Sequence, residues 1–141
     1  MLTAVTDKVE ILRSVPLFAD LDDRSLQAVA MFAHDTSFKA EDVVMLEGEP
    51  GDTFYVIVEG TVRIEHGDRT IRSMTAGGFF GEIALIDQRP RTATVECVTD
   101  VRALEIRRHE FERLLETLPA VHRRVRAAVD RRVRSREWQS N

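Results

Sequence analysis

Glycine is confined to the middle of this chain. All seven glycines of the 141 residues fall between Gly48 and Gly81, inside a stretch from Thr36 to Ile106 where β-branched residues are frequent. Gly48, Gly51, Gly60 and Gly67 lie near the ends of short runs that alternate apolar and polar positions, Asp42–Glu47, Phe54–Glu59 and Thr61–Glu65. Alternation at period two marks strands with one buried face, and glycines at the run ends supply turns. Several such strands in succession predict a small antiparallel barrel or jelly roll. The flanks carry a different period. Between Asp7 and Ala33 the residues Val9, Leu12, Leu26, Val29, Ala30 and Ala33 fall at helical spacings, interrupted by Ser14-Val15-Pro16-Leu17-Phe18. Pro16 ends one short helix, and Asp22 and Asp23 are placed to cap the next. Downstream, Phe111, Leu114, Leu115 and Leu118 repeat at i, i+3, i+4 and i+7, an amphipathic helix that stops before Pro119. In a second helix Val121, Val125 and Ala128 share one face, which Arg132 continues.

The expected fold is mainly β with flanking helices (α+β), an antiparallel β-jelly-roll barrel. Residues 1–35 form N-terminal helices, 36–107 the barrel and 108–138 two C-terminal helices, within one domain over 1–141. That length suffices for one ordinary core and not for two. No apolar run approaches the roughly 18 residues of a membrane span, and the N-terminus lacks the basic start and apolar core of a signal peptide. The single cysteine, Cys97, cannot form an internal disulfide. It falls in the apparent strand Ala93–Val98, where a buried, inert thiol is expected. These features predict a cytoplasmic protein. The formal charge of −4 is unevenly spread. Residues 1–120 hold 13 Lys and Arg against 22 Asp and Glu, whereas residues 121–141 hold 7 against 2. That basic tail reads as a solvated helix face beside an acidic body, with an acidic partner or nucleic acid as the alternative.

Chemistry concentrates at Phe80-Gly81-Glu82-Ile83-Ala84-Leu85, followed after four residues by Pro90-Arg91-Thr92-Ala93-Thr94. Gly81 lets the backbone approach a ligand, and a helical turn over Glu82 to Leu85 would aim N–H groups at an anion. Arg91 adds a planar, always-charged fork for two phosphate oxygens, and the Glu82 carboxylate can accept from a ribose hydroxyl. Either half alone also suits an ordinary turn with a solvated charge; the two together, in this order, read as a cyclic nucleotide pocket.

The spacing resembles the phosphate-binding cassette of the cyclic nucleotide-binding domain family, G-E-x-A-L with P-R-x-A-[ST] downstream, here over residues 80–94. Gly48 to Gly60 resembles the family's second recurrent motif, a turn and the strand after it, and the likeness extends over roughly residues 15 to 135. It implies that Arg91 and backbone N–H groups around Ile83, Ala84 and Ala93 hold a cyclic phosphate beside Gly81, while Glu82 binds the ribose 2′-hydroxyl. Ile64 and Ile71 are the implied wall for the base, with plain core as their other reading. Arg132 matches the position from which relatives close the base side, and is otherwise one more solvated arginine. Thr92 can meet both the phosphate and the exocyclic amino group of a syn guanine. The reading is cAMP favoured over cGMP.

Rival functions find less support. His34, His66, His109 and His122 are scattered, without a His-x-His pair or a carboxylate at ligand spacing, so neither a metal nor a cofactor is expected. No catalytic constellation stands out, and the expected protein is not an enzyme. Some nine residues follow Arg132, too few for a sequence-reading DNA-binding head, so tail contacts with nucleic acid would be sequence-blind. What remains is a sensor that repositions its last helix for an unidentified protein effector, as a standalone bacterial protein. The alternatives are a ligand-free interaction module of the same fold and a regulatory fragment of a larger channel, kinase or transporter. A homodimer through the C-terminal helices stays open.

Overall fold

The computed structural model describes residues 5–81 and 90–135. Helices α1 (Val5–Arg13) and α2 (Asp23–Phe32) precede the strands. Asp22 caps α2 as expected, its carboxylate accepting the Ser25 N–H at 2.8 Å, and that bond holds the acid below its usual range. The Pro16 turn between the helices is an apolar plug: Val15, Leu17 and Phe18 are all buried.

Eight strands follow among the described residues. They are β1 (His34–Phe38), β2 (Val43–Met45), β3 (Thr53–Glu59), β4 (Val62–His66), β5 (Arg69–Met74), β6 (Phe79–Phe80), β7 (Thr94–Cys97) and β8 (Val101–Arg107). β1 opens at His34, just ahead of the expected 36. They form two four-stranded sheets, ordered β1-β8-β3-β6 and β2-β7-β4-β5, with every pairing antiparallel. Buried positions of both sheets, among them Val56, Ile57, Val62, Ile64, Val95 and Leu104, join one core. This is the expected jelly roll, built as two sheets rather than one closed ladder. Cys97 is buried in it, and burial pushes its thiol up, away from reactivity.

Helices α3 (Arg108–Thr117) and α4 (Pro119–Ser135) close the chain. Pro119 occupies the first position of α4, where a missing N–H costs nothing. Val121, Val125 and Ala128 are buried together, as their spacing predicts. Phe54 on β3 is the hub that joins these helices to the sheets. Its ring lies 6.4 Å from Phe18, 5.3 Å from Phe111 on α3 and 5.9 Å from Phe79 on β6. The start of β3 thereby touches both helical layers and the strand that leads into the cassette.

Candidate functional site

Gly81 follows β6 directly, and β6 pairs with β3 through Tyr55↔Phe80 and Val56↔Phe79. This pairing presses Gly81 onto the start of β3. Its φ is +100°, and a Cβ there would run into the Thr53 carbonyl and come within 3.1 Å of Arg91 Nη1. Only glycine fits both the angle and the space.

Arg91 is 7% exposed, an unusual setting for a guanidinium. Nη1 donates to the Gly81 carbonyl at 3.0 Å and Nη2 to the Thr53 carbonyl at 2.9 Å. Two main-chain dipoles thus orient the charged fork in a site with little water. Its backbone is pinned from the other side, because Arg91 N–H donates to the Glu49 carbonyl at 2.8 Å and Gly48 N–H donates to the Arg91 carbonyl at 2.9 Å. The segment from Gly48 to Gly60, read in sequence as a structural turn and strand, therefore also cradles Arg91, through Gly48, Glu49 and Thr53. Sequence gave no sign of this, since all the cradling groups are main-chain atoms.

Thr92 is half-buried, and Ala93 is fully buried at the entry to β7. Glu82, Ile83 and Ala84 lie outside the described residues. Ile64 is fully buried on β4, while Ile71 is half-buried on β5 and packs against the core. The β4–β5 ladder shifts register between Ile64 and Glu65, which pair with Arg72 and Thr70, so Ile71 takes up the bulge. Residues directly opposite share a face, which sets Arg72 beside Ile64 on the inner face. A period-two reading of the strand cannot see such a slip.

Arg132 on α4 lies with its guanidinium carbon 4.2 Å from the centre of the Phe79 ring. The last helix is thereby docked two residues before Gly81, through a cation–π contact. Two of the scattered histidines meet carboxylates that are distant in sequence: His34 lies 3.2 Å from Glu110 and His66 3.3 Å from Glu47. Among the described residues no group of three or more His, Cys, Asp or Glu is placed to hold a metal ion, and no helix is long and apolar enough to cross a membrane. A cleft of about 370 Å³ opens at the far end of β3 and β8, between Phe38, Lys39, Glu59 and Arg102. At its rim Arg102 lies 3.4 Å from Glu59, and Asp42 accepts the backbone N–H of Lys39.

The family model described as cyclic nucleotide-binding domain matches residues 35–118. The chain belongs to the cyclic nucleotide-binding domain family. It is 33% identical over 116 residues to the cAMP-dependent protein kinase regulatory subunit of Emericella nidulans, covering 81% of this chain and 28% of that one. It is 34% identical over 124 residues to a cyclic nucleotide-gated potassium channel of Rhizobium etli, covering 87% of this chain and 35% of the channel. The chain thus spans about a quarter to a third of these curated relatives. Among solved structures, PKAR CBD2 with bound Sp-2Cl-cAMPS superposes with a TM-score of 0.75 at 27% identity, over 89% of this chain and 90% of that one. Arg91 itself lies between strands, yet it is buried and not a solvated loop charge.

Proposed function

We propose that this chain is a non-catalytic receiver that binds a cyclic nucleotide between its two sheets and passes the event to its C-terminal helix. The observation that carries the reading is Arg91: a buried guanidinium anchored on the Gly81 and Thr53 carbonyls at the mouth of the cassette. A guanidinium held in place by two main-chain carbonyls is oriented in advance for charge-assisted hydrogen bonds to a phosphate diester. In this reading the cyclic phosphate lies on Arg91 and the N–H groups of Ile83, Ala84 and Ala93, next to Gly81. Glu82 takes the ribose 2′-hydroxyl, and Ile64, Ile71 and Thr92 face the base side.

We favour cAMP, the nucleotide named for the kinase subunit relative. A second reading, cGMP, has its own observation: Arg72 lies on the face of Ile64, and Thr92 supplies a hydroxyl. A guanidinium is donor-only and suits the O6 and N7 acceptors of guanine, whereas adenine presents a donor at N6. On the base side, Arg132 would exchange the Phe79 ring for the purine, which shifts α4 between two docked positions. The effector that senses α4 is a protein, in a cytoplasmic setting. As a sensor the chain works either alone, with pairing of C-terminal helices as one arrangement, or inside a longer protein of the kinase or channel kind.

Isothermal titration of the folded chain with cAMP and then cGMP tests the reading, with Arg91→Ala as control. Micromolar or tighter binding, weakened in the variant by on the order of 2–5 kcal/mol, is the expected result. A folded chain, free of copurified nucleotide, that takes up neither ligand would refute it and leave an interaction module of the same fold.

A further inference from the structure

His66 ends β4, far in sequence from the cassette, yet its Nδ1 lies 3.0 Å from the Thr92 carbonyl oxygen and 3.3 Å from Glu47 Oε2. Both neighbours are acceptors, so Nδ1 carries the proton and donates. Glu47 is itself fixed: its Oε1 accepts the Gly67 N–H at 2.9 Å, and its own N–H donates to Thr94 Oγ1 at 3.0 Å. The His66–Glu47 pair therefore joins the β4–β5 hairpin to the second half of the cassette.

The consequence follows from the planarity of the peptide bond. The Thr92 carbonyl and the Ala93 N–H belong to one rigid plane and point in opposite directions. Fixing the oxygen fixes the direction of the N–H. We infer that His66 is a positioning residue that aims the Ala93 N–H at the cyclic phosphate without touching the ligand itself. This rests on the receiver reading, in which Ala93 is a phosphate donor. Preorganised donors bind an anion with less ordering on arrival, so loss of the clamp weakens binding even where the fold is intact.

Two amides separate this role from simple packing. In His66→Asn the side-chain N–H₂ falls near the place of Nδ1, whereas in His66→Gln it falls near Nε2, beyond reach of the Thr92 oxygen. Both are polar and suit a side chain that is 25% exposed. The experiment is calorimetric titration with cAMP and cGMP of the wild-type chain, both variants and Arg91→Ala, together with the amide shift of Ala93 on saturation. We expect His66→Gln to bind about tenfold more weakly and His66→Asn to stay within about threefold of wild type. The Ala93 amide proton should move downfield on binding in wild type and His66→Asn, and less in His66→Gln. Equal affinities for Gln and wild type, or equal losses in both amides, overturn the inference while an Arg91-dependent wild type keeps the receiver reading. A wild-type chain that binds neither nucleotide overturns both.

Discussion

Replacing Gly81 by alanine separates two costs that the structure places at one residue. The first is conformational: at φ +100° a side chain is strained, by about 1–3 kcal/mol. The second is a collision, because the new Cβ meets the Thr53 carbonyl, a main-chain atom of β3 that cannot swing aside. Forcing β6 away from β3 costs about 1–3 kcal/mol more, in line with overpacking of a core. Gly67→Ala is the internal comparison. Its φ is +62°, but nothing lies within 4 Å of the new Cβ, so only the left-handed backbone is penalised, by about 1–2 kcal/mol. Both substitutions stiffen the unfolded chain by a similar amount, which cancels in the difference. Urea unfolding of the two variants should therefore place Gly81→Ala below Gly67→Ala by at least about 1 kcal/mol. Titration should show the same order, since the Gly81 carbonyl is an acceptor for Arg91 and Gly67 is not. Equal stability losses in the two variants would refute the collision. Wild-type affinity in Gly81→Ala would remove the glycine from the site.

Arg132→Met keeps the apolar stem and removes the cation over Phe79. It should cost about 0.5–1 kcal/mol in a thermal melt without ligand and weaken nucleotide binding several-fold; unchanged binding would leave Arg132 as surface decoration. Tyr55, the single tyrosine, is held above its ordinary value of 10.0, first by burial and then by Glu105. The folded chain keeps the phenol neutral where the unfolded chain has begun to ionise, so stability is full below about pH 10 and falls as the pH rises beyond it. Tyr55→Phe should flatten that alkaline decline in urea midpoints, and the phenolate absorbance of the wild type should appear late; titration near the ordinary value would contradict the burial argument.

Much of the fold was legible because its signals are local. Pro119 and Asp22 mark helix starts by their own backbone chemistry, and the spacing of Val121, Val125 and Ala128 gives the buried face of α4 directly. The runs around Val62 and Val95 alternate because one side of each strand is less buried than the other, whereas the run from Phe54, read as alternating, is buried on both faces with Val56 and Ile57 both in the core. Arg91 and Gly81 were legible for another reason: their residue types are rare answers to a geometric demand. What escaped depends on contacts across the chain. The Thr53 carbonyl that holds Arg91 carries no side-chain signature, and the slip that puts Arg72 beside Ile64 is a matter of ladder pairing. His66 looked like a scattered histidine because its partners, Glu47 and Thr92, lie in turns 19 residues before it and 26 after it.

The placement of α4 has a mechanical consequence. Its first turns are fixed, with Val121 and Val125 buried and Arg124 bound to Asp20 at 2.8 Å in the linker after α1. Arg132 lies about 10 Å further along the same rod, at 1.5 Å per residue. In the proposed switch the helix serves as a lever, with its fulcrum at the Arg124–Asp20 contact, its middle seated through Ala128 and Val129, and its working arm resting on β6 at Phe79. A tilt of about ten degrees at the fulcrum displaces the arm by about 2 Å at Arg132, the scale of the helix shifts by which proteins switch. In that proposed switch a load applied at Phe79 is felt at Asp20 too, which offers a partner either end of the helix as output.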